Sequence, residues 1–154
     1  SYMYDVLRGI SDHGKLQIVL NAVEKGSNPW GCTDYLNQKK KILETGADVY
    51  ELMNDYPVHT KAVLVDEHLS VVGSYNLDMR STYLDTELML VIDSEKLSQQ
   101  FHETESDYME KSKEVLANGQ ETEGAKYQGK ALNRKKKLYY GVLRIIIRPL
   151  RQLL

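Results

Sequence analysis

Two apolar runs of strand length, residues 16–20 and 49–52, place the strongest constraint on the fold, because a stretch of helical pattern separates them. A strand, a helix and a second strand at this spacing form a βαβ unit, in which the crossover helix lets the two strands pair in parallel. The sequence therefore predicts an α/β fold with a mixed, mostly parallel β-sheet flanked by helices.

The boundaries of this unit are marked by residues that interrupt regular structure. Residues 26–31 are crowded with Pro and Gly, and we predict a loop there. Thr33 or Asp34 can cap a helix that runs to about Glu44, and Gly46 can stop that helix.

Further elements are predicted on both sides of the βαβ unit. A short amphipathic helix over residues 4–10 precedes it. Three strand candidates follow it, over residues 61–65, 69–73 and 87–92. The polar residues 66–68 between the first two predict a hairpin. A long helix is predicted from near Ser94 through Tyr108 towards Val115.

The formal net charge of −2 hides a strong asymmetry between the body and the tail of the chain. Residues 130–154 carry eight Lys and Arg and no acid, whereas residues 1–129 carry twelve bases and all 22 acids. A basic tail of this kind indicates contact with an anionic surface, either a membrane or a nucleic acid. A solvated tail is the alternative, and charge alone does not choose between them.

Composition divides the chain into three parts. We predict a domain over residues 1–116, a linker rich in Gly, Gln and Glu over residues 117–133, and a tail over residues 134–154. Three arginines of the tail recur at i, i+4 and i+7 on one helical face: Arg144, Arg148 and Arg151. This pattern predicts an amphipathic helix, which either lies in a membrane interface or docks on another part of the protein.

Four polar side chains are spaced so that they can meet at one edge of a sheet. His59 and Lys61 are two residues apart, so on a strand both leave the same face, and Ser74 and Asn76 repeat this spacing after the next apolar run. An imidazole, an ammonium, a hydroxyl and a carboxamide together provide a nucleophile or acid and the donors for phosphate oxygens. The pattern therefore indicates phosphodiester chemistry.

The same residues carry a resemblance to a known family. His59, Lys61 and Asp66, followed by the segment 73–76 (Gly-Ser-Tyr-Asn), match the HxKxxxxD…GSxN signature of the phospholipase D superfamily at every defining position. Residues 76–81 and the following Thr-Glu pair resemble more specifically the bacterial cardiolipin synthases and their close relatives. The resemblance covers roughly residues 4–108.

The resemblance implies a role for each matching residue. In this family one motif His attacks phosphorus to give a phosphohistidine, and a second motif His protonates the leaving alcohol. His59 would accordingly be the catalytic imidazole. Lys61 and Asn76 would hold the non-bridging phosphate oxygens, and Ser74 would add a hydrogen bond. No cofactor and no metal are implied.

Two carboxylates complete the predicted site. Glu87 would orient the far nitrogen of His59 and raise its basicity, as carboxylates beside a catalytic His generally do. Asp66 would be structural, because it lies at the end of its strand and away from the face that carries His59 and Lys61.

One copy of the motif is only half of a site. In-line displacement needs a nucleophile on one side of phosphorus and an acid on the other, and a single His cannot occupy both positions. The second copy comes either from a homodimer or from another part of a longer chain. Because the chain opens directly in a helix, we expect the latter, with this piece as the second half, lacking the first strand of its domain.

The preferred function is phosphatidyl transfer of the cardiolipin synthase type, on a phosphatidylglycerol-like phospholipid. The expected location is the cytoplasmic side of the cell membrane, where the tail would bind the anionic surface peripherally, and the lone Cys32 fits a reducing compartment. The alternative is a dimeric endonuclease of the same superfamily, with the tail on a phosphate backbone. The acidic body argues against nucleic acid near the site.

Overall fold

The structure is a computed structural model that describes residues 2–129 and 131–153. Within these residues the elements follow in the order α1 (Tyr2–Ser11), β1 (Gln17–Asn21), α2 (Pro29–Leu43), β2 (Asp48–Leu52), β3 (Ala62–Val65), β4 (Leu69–Gly73), α3 (Met79–Tyr83), β5 (Met89–Asp93), α4 (Glu95–Glu110), β6 (Ser112–Val115), β7 (Glu121–Glu123), α5 (Arg134–Ile147) and a 3₁₀ helix (Arg148–Leu153). The mixed α/β fold class and the predicted βαβ unit are confirmed.

The strands form two sheets. One has the order β1-β2-β6-β7 and the other the order β3-β4-β5. The pair β1-β2 is parallel, as predicted, and the other four pairs are antiparallel. The expectation of mostly parallel pairing is therefore wrong in its detail. Residues 66–68 and 116–120 are the whole connections of β3-β4 and β6-β7, and they are too short for a parallel crossover.

The core is centred on β2. Val49 and Leu52 of this strand are buried, and they are joined by Val115 from β6 and by Ile147 from α5. Burying large aliphatic side chains of this kind contributes about 1.5–3 kcal/mol each to folding. The tail therefore also contributes a fully buried aliphatic side chain.

Helix α2 begins earlier than its sequence signals suggested. Asn28 caps it, accepting hydrogen bonds from the backbone N–H groups of Trp30 and Gly31, and Pro29 occupies its first turn. The prediction of a cap at Thr33 or Asp34 is wrong. Pro is favoured at the first helical position, because a backbone N–H there would have no partner within the helix, and α2 therefore begins at Pro29. The predicted stop at Gly46 is confirmed, since that residue has a φ of 91° just beyond the helix.

The segment after α4 is more ordered than predicted. Helix α4 begins next to Ser94, as expected, and Ser94 caps it. The helix ends at Glu110 rather than near Val115, and β6 follows at once. β7 lies inside the predicted linker and pairs with β6. β6 pairs with the edge of β2 that β1 leaves free, and β7 extends the sheet beyond β6.

The tail forms α5, which packs against α2. Tyr140 and Ile147 are buried, and Arg144 donates from Nε to the amide oxygen of Asn37 at 3.0 Å. In the 3₁₀ helix, Arg151 forms an ion pair with Asp34 at 3.3 Å. Of the two alternatives for the tail, docking on the protein is thus observed. No described helix combines the length and the apolar character needed to cross a bilayer.

Candidate active site

His59 lies on the segment that leads from β2 into β3. Its backbone is held by the preceding residue: the Asn21 amide, at the end of β1, donates to the carbonyl of Val58 at 2.7 Å and accepts from its N–H at 2.8 Å. The exposed His59 ring lies against Lys61, whose Nζ is 2.9 Å from Nε2. Lys61 Nζ also donates to the carbonyl of His59 at 3.0 Å. The ammonium and the imidazole are therefore already paired.

Ser74 lies beside these residues at the end of β4. The N–H of Gly73 donates to the carbonyl of Lys61 at 3.1 Å, so the start of β3 and the end of β4 are adjacent. The Ser74 hydroxyl donates to a carboxylate oxygen of Glu87 and accepts from the N–H of Leu88 at 3.0 Å. The hydroxyl is thus oriented by one acceptor and one donor.

Asn76 lies in the turn after β4 and is supported by α3. Its amide nitrogen is 3.4 Å from the hydroxyl of Ser81, which is buried. Asp78 caps α3 by accepting from the N–H of Ser81 at 2.7 Å. This short helix and the role of Ser81 were not predicted, although Asp is among the residues preferred at a helix N-cap.

Glu87 is the electrostatic partner of this cluster. Hydrogen bonds from Ser74 and Ser81, followed by the positive charges of Lys61 and Arg80, lower the pKa of Glu87 below its ordinary value. The carboxylate is therefore ionised at neutral pH, where it balances the charge of Lys61. The backbone hydrogen bond from Gly73 to Lys61 places the two segments of the motif beside each other.

The hydrogen-bond partner of Glu87 differs from the one expected. Glu87 was predicted to bind the far nitrogen of His59, but among the described residues its carboxylate accepts from Ser74, and the contact of the imidazole is with Lys61. In this structure Lys61 orients the imidazole ring of His59 by direct contact, and Asn21 fixes the backbone of the preceding residue, Val58. Asn21 had a signal in the sequence, since it is a polar residue directly after an apolar strand.

Asp66 stands apart from the other predicted residues. It occupies the hairpin between β3 and β4 with a φ of 52°, a left-handed conformation that Asp tolerates better than most residues. Its carbonyl accepts a hydrogen bond from His102 Nε2 at 2.7 Å. The side chains His59, Lys61, Ser74 and Glu87 are brought together with Asn76 nearby, whereas Asp66 shapes the opposite end of the hairpin.

His59, Ser74 and Asn76 are exposed, so the candidate site lies at the surface of the protein. A cleft of about 720 Å³ lies at the carboxyl ends of β1 and β2, lined by residues that include Lys25, Asn54 and Lys136, and none of the six predicted site residues lines it. Among the described residues, no cluster of three or more His, Cys, Asp or Glu could hold a metal ion.

This arrangement defines a phospholipase D-like domain, and the comparison with known families agrees. Residues 1–107 match the family described as "Cardiolipin synthase, PLD-like domain", and the chain belongs to that family.

Individual relatives are similar to half of the chain. Cardiolipin synthase A from Proteus mirabilis is 43% identical over 75 residues, which are 49% of this chain and 15% of that protein. Cardiolipin synthase A from Serratia proteamaculans is 39% identical over 83 residues, 54% of this chain and 16% of that protein. The matched region thus spans about a sixth of the length of these relatives. The phospholipase D family member Nuc from Salmonella typhimurium is similar in structure, with a TM-score of 0.47 and 14% identity over 78% of this chain and 90% of that one.

Proposed function

We propose that this chain provides one half of a phosphatidyl-transfer site of the cardiolipin synthase type. The site would move a phosphatidyl group from a phosphatidylglycerol-like donor to the hydroxyl group of a second lipid. The supporting observation is the meeting of His59 and Lys61 with the Ser74–Glu87 pair where β3 begins and β4 ends. Membership of the cardiolipin synthase family supports the choice of a phospholipid substrate.

The chemistry proceeds in two displacements at phosphorus. A motif imidazole attacks phosphorus, forming an N–P bond as the bond to the leaving alkoxide breaks, and the opposite imidazole donates a proton to that alkoxide. The opposite imidazole then takes the proton of the acceptor hydroxyl, which attacks phosphorus and breaks the N–P bond. His59 would serve as one of these two imidazoles.

The remaining residues hold the phosphate. An oxygen that enters beside Lys61 would replace His59 as the partner of Nζ, so binding would free the Nε2 lone pair for chemistry. Asn76 would donate to a second oxygen. Ser74 would exchange its bond to Glu87 for one to the phosphate, and the ionised Glu87 would remain as the acceptor that orients the donors around it.

The site needs a second imidazole from outside the cluster described here. A second copy of the motif, in another chain or elsewhere in a longer polypeptide, would supply it. We accordingly expect the 154-residue chain as a monomer to turn over weakly or not at all. A peripheral position at the cytoplasmic face of the membrane fits the basic tail and the free thiol of Cys32.

The proposal is tested by replacing the imidazole in the complete enzyme. His59→Ala is expected to lower the formation of diphosphatidylglycerol from phosphatidylglycerol vesicles by about 10³-fold or more, because one of the two proton-transfer and attack groups is lost. His68→Ala is the matched control, since His68 is exposed at the far end of the same hairpin and should leave the rate unchanged.

Two outcomes would contradict this assignment. Retention of transfer activity by His59→Ala would remove His59 from the mechanism. Cleavage of DNA by a homodimer of the 154-residue chain, without activity on lipid, would replace the phosphatidyltransferase with the nuclease alternative.

A further inference from the structure

We propose that the outer face of α5 is a docking surface for an anionic lipid bilayer, and that it binds while the inner face of α5 stays packed on α2. The proposal extends the function above to the way in which the site meets its lipid. The test measures binding to vesicles without turnover. The docking proposal can therefore fail while the proposed chemistry holds, and the proposed chemistry can fail while the docking proposal holds.

The inner face of α5 is fully engaged by the protein. Tyr140 and Ile147 are buried on this side, and Arg144 and Asn37 exchange hydrogen bonds, from Arg144 Nε to the Asn37 amide oxygen at 3.0 Å and from the Asn37 amide to the Arg144 carbonyl at 3.1 Å. A helix held in this way presents its opposite face in a fixed orientation.

The outer face carries a row of exposed apolar side chains. Leu138, Val142 and Ile145 recur at i, i+4 and i+7 and are 71%, 51% and 71% exposed. Tyr139 and Ile146 widen the row and are each about half exposed. Residues at this spacing share one side of a helix, so the face is a continuous apolar stripe rather than scattered exposure. Such a stripe is costly in water unless something covers it.

The charged residues of α5 are all positive. The first turn of α5 is occupied by four consecutive bases, Arg134, Lys135, Lys136 and Lys137, and contains no acid. In the described part of the chain, none of the four takes part in an ion pair. Cations at the positive end of a helix dipole are destabilising by about 0.3–1 kcal/mol each. An anionic partner would relieve this repulsion.

A bilayer satisfies both properties at once. Its acyl chains cover the apolar stripe, and its phosphate groups lie at the depth where the flanking lysines and arginines reach. Each base near an anionic bilayer contributes about 1 kcal/mol to binding. A protein partner would need an apolar groove rimmed entirely by acids, which is a narrower requirement.

The docking surface is connected to the candidate site. The 3₁₀ helix that continues α5 packs on α3, and α3 follows Asn76 after a two-residue turn. A bilayer bound to the outer face of α5 would therefore hold the phosphate-binding residues at a fixed position relative to its surface.

The first experiment measures co-sedimentation of the 154-residue chain with vesicles. We expect binding to phosphatidylcholine vesicles that contain phosphatidylglycerol, little binding to pure phosphatidylcholine, and a decrease in binding at high salt. Ile145→Asp should weaken binding about tenfold, because a large apolar contact is lost and an anion is introduced. The matched control is Leu90→Asp, at a 60% exposed position on β5, which should bind like the unmodified chain.

The thermal unfolding of each variant is recorded beside its binding, so that loss of fold is distinguished from loss of contact. Equal binding by Ile145→Asp and the unmodified chain would overturn the proposal. So would a chain that is dimeric in solution, becomes monomeric with Ile145→Asp and ignores vesicles, because the stripe would then join two copies.

The docked state of α5 is tested through Cys32. This thiol is half-buried beneath α5 and interacts with the hydroxyl of Tyr140, and burial raises the pKa of Cys32 and keeps the thiol protonated. If the helix binds without leaving α2, the rate of Cys32 alkylation is unchanged or lower on vesicles. A several-fold faster rate on vesicles would mean that α5 detaches, and would overturn that part of the proposal.

Discussion

At the scale of single residues, Gly73 allows the close approach of β4 to β5 beside the candidate site. A Cβ atom at this position would lie 2.0 Å from the Leu88 carbonyl oxygen and 2.9 Å from the Cα of Met89. The absence of a side chain lets β4 approach β5 closely, and the next residue, Ser74, then exchanges two hydrogen bonds with Leu88. The glycine of the motif is therefore a steric requirement for the position of the Ser74 hydroxyl beside it.

Gly73→Ala is expected to lower the free energy of unfolding by about 1–3 kcal/mol, because the backbone of β5 has to move away. Denaturant unfolding measures the effect. Gly9→Ala is the control, since its Cβ would meet nothing within 4 Å and its place in α1 favours alanine. Equal stability of Gly73→Ala and the unmodified chain would show that the strands separate without cost.

At the scale of elements, local pattern and motif spacing each predicted part of the structure. The β3-β4 hairpin followed from two apolar runs joined by the polar residues 66–68, and the placement of Lys61 near Ser74 followed from the two-residue spacings of the motif. β6 and β7 were missed because their sequences, Ser-Lys-Glu-Val and Glu-Thr-Glu, lack apolar alternation. β6 is stabilised by pairing with β2, β7 by pairing with β6, and both by ion pairs through Lys113 and Glu121, which a local pattern cannot reveal.

The members of the candidate site come from a sequence motif, and the motif does not specify their mutual contacts. The residues His59, Lys61, Ser74 and Asn76 follow from a motif. The partner of Glu87 depends on where the turn after β4 directs two side chains, and that turn is shaped by α3, a helix too short to leave a periodic signal. Asn21 could be recognised in the sequence as a polar residue at the end of an apolar strand, but its partner Val58 lies 37 positions further along the chain and could not.

Two hydrogen bonds between the Asn21 side chain and the Val58 backbone, called here the Asn21 clamp, connect β1 to the segment that carries His59. Asn21→Ala should destabilise the protein by about 1–3 kcal/mol, since the N–H and the carbonyl of Val58 both lose a partner. Hydrogen exchange at the Val58 amide should accelerate more than exchange in α4. Asn118→Ala removes an asparagine with only local bonds and is the control. Unchanged exchange at Val58 would mean that the clamp does not restrain this segment.

At the scale of the whole molecule, the carboxylate of Glu51 joins four elements. This buried side chain on β2 accepts from Tyr35 and Lys39 of α2, both at 2.7 Å, and pairs with Lys113 of β6 at 3.1 Å. Both lysines also reach Glu121 of β7. Burial alone would raise the pKa of Glu51, but the bonds from Lys39 and Tyr35 and the two positive charges outweigh it and lower the pKa.

This network predicts sensitivity to acid. Because the pKa of Glu51 is lower in the folded state, its contribution to stability is complete above the unfolded value of about 4.3 and is lost as the pH falls through the folded value. Glu51→Gln should lower the free energy of unfolding at neutral pH by about 1.5–3 kcal/mol and flatten the decline below pH 4. Thermal unfolding from pH 3 to 7 measures both effects, with the exposed Glu95→Gln as control. An unchanged slope in Glu51→Gln would place the acid-sensitive group elsewhere.

The docking of α5 on α2 also limits how the tail can be studied by itself. A synthetic peptide of residues 134–151 would uncover Tyr140 and Ile147, which the intact chain keeps buried. Such a peptide has apolar residues around most of its circumference, and its partition coefficient into lipid would exceed that of the parent chain. Deleting the tail would conversely expose the surface of α2 that α5 covers, which would promote aggregation. Point substitutions on the outer face of α5 are therefore more informative than truncation.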